Sequence, residues 1–135
     1  MNTLYPKARE RFAKGLIDWT AGNVKATALV AGYTFNAAHE FYSSVAAPQR
    51  LFAWTLTGPT AALGVIDAAD HTQMGVGAGV TIVAVVLWLS TGVDNTSPLI
   101  AYIGDAADTT PLAVATYGGD IDIVWPNGPT KIGRI

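Results

Sequence analysis

The stretch VTIVAVVLWL, residues 80–89, constrains this chain more than any other. From Thr72 through Val93 no Asp, Glu, Lys or Arg occurs. A membrane-spanning helix needs about 20 predominantly apolar residues. Here Gly75, Gly77 and Gly79 on one side and Ser90-Thr91 on the other cut the dense apolar run short. The nearest cations are Arg50 and Lys131, so neither end has the basic anchors that set topology. Val, Ile, Thr and Trp instead favour a strand. An unbroken apolar run, unlike an alternating one, implies a strand covered on both faces. The chain's own core can cover one face, and the expectation is that a neighbouring subunit or another protein surface covers the other.

Pro and Gly clusters divide the chain into segments at intervals of roughly 8–15 residues, the spacing of an antiparallel sandwich or barrel and not of βαβ units. Strand segments are expected at 24–35, 51–58, 62–70, 80–90, 98–104, 111–118, 120–126 and 130–135, with a helical turn within 37–45. Asp120-Ile121-Asp122-Ile123 alternates strictly, with Trp125 continuing the isoleucine face. Pro126-Asn127-Gly128-Pro129 reads as a turn, which makes residues 120–135 a C-terminal hairpin. A helix is expected over 6–14. Pro6 suits its first position, Gly15 its C-terminal cap, and Ala8 and Phe12 share a face. The predicted fold is mainly β: a jelly-roll-like antiparallel β-sandwich or barrel with a short N-terminal helix. It forms one domain over 1–135, with 1–22 as helix or arm and 23–135 as sandwich.

Charge is scarce. Only 13% of the 135 residues are Asp, Glu, Lys or Arg, while half are hydrophobic; an ordinary soluble domain carries about 25% charged residues. Too few charges to cover a small domain's surface favours an oligomer or a docking face. Six of the eight cations (Lys7, Arg9, Arg11, Lys14, Lys25 and Arg50) fall in residues 1–50, and residues 51–130 hold seven Asp and no cation. A net charge of −2 argues against nucleic-acid binding, which needs clustered cations. The basic N-terminal segment suits either an acidic protein surface or a solvated helix face. No apolar run follows the first charges, so no secretory signal is expected. Cysteine is absent, which removes disulfides, thiolate metal sites and a cysteine nucleophile.

No catalytic constellation stands out. Gly75-Val-Gly-Ala-Gly79 precedes a strand instead of opening a helix, and no lysine is near, so it is a loop and not a phosphate cradle. Asp67-Ala-Ala-Asp70-His71 is the nearest thing to a metal cluster, yet it follows no ligand spacing, and Asp at turns bonds its own backbone. His39-Glu40 and His71 lack a serine in a nucleophile-elbow context. A pair of distant carboxylates, as in glycosidases, stays open. Trp19, Trp54, Trp88 and Trp125 without interleaved cations favour core or interface packing over stacking on sugars or bases. The expectation is therefore no enzyme, no cofactor and no metal site.

The blocks LYPKARERFAKGLIDW, VKATALVAGYTF with AHEF, LTGPTAALGVIDAADHT, the β-run ending in STG, SPLIAYI, and GGDIDIVWPNGPTKIGRI come in this order. Together they resemble a group of small structural proteins of tailed bacteriophages, over nearly the whole chain. Such relatives tend to carry a charged residue near the end of the central β-run, where Trp88-Leu89-Ser90 stands here. The resemblance implies a virion component. A capsid decoration (cement) protein bound to the major capsid protein on the capsid surface is favoured, with no nucleic-acid or membrane partner expected; a tail or head–tail connector component and a small carbohydrate-binding or hydrolytic virion domain are the alternatives. It implies a homo-oligomer, a trimer by analogy. The expected partner-binding residues are Lys7, Arg9, Arg11, Phe12 and Lys14 on the helix, with Trp54, Trp88, Leu89 and Tyr102 as interface or core anchors.

Overall fold

A computed structural model describes residues 1–128 and 131–135. The chain is mainly β. Its strands are β1 (Asn2–Leu4), β2 (Val24–Val30), β3 (Arg50–Thr55), β4 (Thr60–Ala62), β5 (Val65–Asp67), β6 (His71–Gln73), β7 (Thr81–Leu89), β8 (Leu99–Ile103), β9 (Val114–Ala115), β10 (Ile121–Ile123) and β11 (Gly133–Arg134), with one α-helix, α1 (Pro6–Ala13). The main antiparallel sheet has the order β1-β8-β7-β2-β3, and β9 pairs with the start of β7. Two smaller sheets, β10-β6 and β11-β5-β4, complete the sandwich.

The apolar run is the centre of the main sheet. Ile82 and every residue from Ala84 to Trp88 are buried, so both alternating sets of side chains are covered. This corrects the expectation that a neighbouring subunit or another protein surface covers the second face. On one side Trp88 lies against Tyr42. On the other, Val85 faces a cavity whose far wall includes Ile121 and Trp125 of the same chain. A central strand in a two-layer fold needs no second molecule to hide a continuous apolar sequence.

Helix α1 ends as its sequence requires. Lys14 is the cap, and Gly15 follows at φ 71°. Leu16 N–H donates to Arg11 O at 2.8 Å and Gly15 N–H to Phe12 O at 3.1 Å, the paired bonds of a Schellman ending. The helix is docked and is not a free arm. Ala8 is buried against the core, the preceding Tyr5 is fully buried, and Tyr5 N–H donates to Ile100 O of β8. Strand β1, within the segment expected to be helix or arm, is an edge of the main sheet.

Other segments differ from expectation. Residues 62–70 contain a hairpin turn instead of one strand: β4 and β5 are joined by Leu63 (φ 52°) and Gly64 (φ 79°), a two-residue loop of the primed type. The predicted strand at 111–118 shortens to Val114–Ala115. The C-terminal hairpin does not form. β10 pairs with β6, and β11 pairs with β5. Side chains explain the first choice: Thr72 Oγ1 donates to Asp122 Oδ1 at 2.7 Å, and Asp70 Oδ1 accepts the Trp125 N–H at 2.8 Å. Of the expected turn, Pro129, like the following Thr130, lies outside the described residues.

Candidate partner-binding surfaces and an apolar cavity

The cations of α1 divide into two sets. Lys7 and Lys14 are exposed and grip Glu10 at 3.0 and 2.6 Å. Hydrogen bonds from Lys14 and then Lys7 hold the Glu10 carboxyl down to about 2. Arg11 turns inward, pairs with Glu40 and lies over the Phe41 ring, 5.2 Å from its centroid. Phe12 is half-buried against the core. Arg9 is exposed and makes no ion pair among the described residues.

The four anchor candidates on the strands are not gathered on one surface. Trp88 is a core residue: its Nε1–H donates to Thr27 Oγ1 at 2.9 Å, and its ring stacks on Tyr42. Thr27 Oγ1 also bonds the Tyr42 hydroxyl at 2.8 Å. Arg50 closes the stack from the far side. Its guanidinium lies 3.9 Å from the Tyr42 ring centroid, donates to Tyr42 O and Val45 O, and reaches Asp94 at 2.7 Å. Trp54 is buried too, stacked on His71 with centroids 4.7 Å apart and beside Trp125. Leu89 is half-buried at the end of β7, where it pairs with Val24. Tyr102 is half-buried against Tyr33 and Phe35.

A tyrosine relay lies near the helix. Tyr5 and Tyr33 share a hydrogen bond between their hydroxyls at 2.7 Å, and Tyr33 Oη is 2.9 Å from His39 Nδ1. Burial pushes the Tyr5, Tyr33, Tyr42 and Tyr102 hydroxyls above the ordinary tyrosine range. Each member of the acidic cluster has a separate structural partner: Asp67 pairs with Lys131 at 3.0 Å, Asp70 receives Trp125 N–H, and His71 Nε2 bonds Gln73 Oε1. Among the described residues no three metal-ligating side chains gather. Among the described residues no helix is long and apolar enough to cross a membrane.

Two features escape sequence reasoning. The first is an exposed apolar tip. The Gly75–Gly79 loop is tied to the 116–120 segment by Val76 N–H to Gly119 O and Gly75 N–H to Asp120 Oδ1. Met74 and Tyr117, exposed to 75% and 70%, stand on these joined segments, with Val80 and Val114 beside them. The second is a cavity of about 230 Å³ between the main sheet and the 121–126 segment. The charge-free glycine loop was the one legible signal for the tip; the cavity joins residues too far apart in sequence to be read together. No family model, curated protein or solved structure matches this chain.

Proposed function

We propose that this protein is a non-enzymatic structural component of a tailed-phage virion, acting as a capsid decoration protein. The reading rests on the order of sequence blocks, which resembles that of small phage virion proteins. The observation that carries it further is the apolar tip: Met74 and Tyr117 are exposed on the two joined segments, Val80 and Val114 are partly exposed at the adjoining strands, and Asp120 supplies a polar rim. Exposed apolar area rimmed by polar residues marks protein contacts. Copies arranged around a threefold axis would each add a modest contact to the major capsid lattice, and multivalency would make the sum strong. The tip is a second candidate docking surface beside the basic helix, where Lys7 and Lys14 are exposed but paired with Glu10, Arg11 is turned inward and Arg9 is exposed.

Cryo-electron microscopy of particles carrying this protein tests the reading. Density at threefold or quasi-threefold positions of the capsid is expected, and density confined to the tail overturns it. The double variant Met74→Asp, Tyr117→Asp changes two exposed side chains. It should keep the wild-type circular dichroism and bind decoration-free capsids at least tenfold more weakly, on the order expected for two lost interface anchors. Unchanged binding removes the tip from the mechanism.

A further inference from the structure

The cavity between the main sheet and the 121–126 segment, partly open to solvent, has a definite chemistry. Ala28, Val85 and Ile103 of the main sheet form one wall; Ile121, Ile123 and Trp125 form the other. Its volume of about 230 Å³ exceeds that of an engineered apolar cavity of about 150 Å³, which stays dry and takes up benzene. A ring with a short alkyl substituent fits this space.

The rim decides which kind of ring. Three charged side chains border the cavity: Asp105, Asp122 and Lys131. Each is already engaged. Asp105 pairs with the Met1 ammonium, Asp122 accepts from Thr72, and Lys131 pairs with Asp67. An anionic headgroup would meet two carboxylates and a lysine already paired; a cationic one would find Asp105 already matched by the Met1 ammonium, and only Asp122, an exposed carboxylate outside the apolar walls, without a counter-charge. Burying a charge without its own partner is costly.

We propose that this cavity binds a neutral, hydrocarbon-rich small molecule about the size of one alkyl-substituted ring. The ligand enters as apolar surface leaving water, and shape and volume select it. This assignment does not depend on where the protein sits in a particle.

The test uses two probes with the same carbon skeleton, n-propylbenzene and 3-phenylpropionate, titrated into the full chain with labelled methyl groups. n-Propylbenzene should bind saturably at one site, raise Tm, and shift the methyl signals of Ile82, Val85, Ile103 and Ile121. 3-Phenylpropionate should bind at least tenfold more weakly. Ala28→Leu, which fills the cavity from its floor, should abolish n-propylbenzene binding while circular dichroism is unchanged. Val114→Trp places bulk at the half-exposed edge of the cavity and serves the same purpose where Ala28→Leu does not fold. Absence of saturation up to the solubility limit overturns the proposal. So does equal affinity for the carboxylate, or wild-type binding in a folded, filled variant.

Discussion

The indole of Trp88 lies flat on the phenol ring of Tyr42, with centroids 3.8 Å apart and planes 7° from parallel. Thr27, on the strand beside Trp88, holds the pair in register. Its hydroxyl accepts from Trp88 Nε1–H and bonds Tyr42 Oη, and the residue is fully buried. Thr27→Val keeps the shape and removes both bonds, stranding a buried indole N–H. A loss of about 1–3 kcal/mol is expected, read as a lower urea midpoint at constant m-value. Thr27→Ser keeps the hydroxyl and should lose less. A neutral Thr27→Val would show that stacking alone positions Trp88.

The β4–β5 turn carries a correctable strain. Leu63 sits at φ 52° and is 98% exposed, so no packing offsets its left-handed backbone. That conformation costs a side chain with a Cβ about 1–2 kcal/mol, whereas Asn-Gly is favoured in this turn type. Leu63→Asn should therefore stabilise the protein by about 1 kcal/mol. Calorimetry should show a Tm rise of about 3–5 °C. A lower Tm would mean that Leu63 contributes through a contact its exposure does not reveal.

Most of the main sheet was legible from sequence because its signals are local. The run 80–89, the blocks near 24–30 and 99–103, and the Pro6 and Gly15 ends of α1 each carry their own periodicity or capping chemistry. What was misread depends on distant partners. Ile121–Ile123 alternates as a strand should, but nothing local says that it pairs with His71–Gln73, three residues that carry no strand signal of their own. Leu63-Gly64 hid a hairpin because leucine is a poor residue for positive φ. The tryptophans announced packing without saying against what. The basic helix looked like an arm because Glu40, the partner that turns Arg11 inward, is 29 residues away.

Alkaline pH should weaken the fold through its buried tyrosines. Burial, reinforced by the neighbouring Tyr33 hydroxyl, raises Tyr5 above its unfolded value of about 10. In the folded state the proton is retained while the unfolded chain releases its own. Stability is thus fully present below the unfolded value and falls as pH rises above it. Urea midpoints should be flat up to about pH 9 and then decline. Tyr5→Phe should make that decline shallower, because one linked proton is removed. An unchanged slope would place the linkage on Tyr33, Tyr42 or Tyr102, whose hydroxyls burial also raises.

Two buried tryptophans should differ in what loss of the indole N–H costs. Trp19 Nε1–H donates to Asp67 O at 2.9 Å, whereas Trp54 Nε1 is buried with no acceptor among the described residues. Replacement by Phe removes similar volume at both sites. At Trp19 it also deletes a made bond and leaves the Asp67 carbonyl short of a donor. At Trp54 it deletes a desolvated donor whose burial costs about 1–3 kcal/mol, which offsets part of the lost packing against His71 and Trp125. Trp54→Phe should therefore destabilise by at least about 1 kcal/mol less than Trp19→Phe, measured by urea unfolding at one pH. An equal or larger loss at Trp54 would mean that its flat contact with His71 outweighs the unpaired N–H, since such aromatic pairs are worth about 0.5–1.5 kcal/mol beyond buried area.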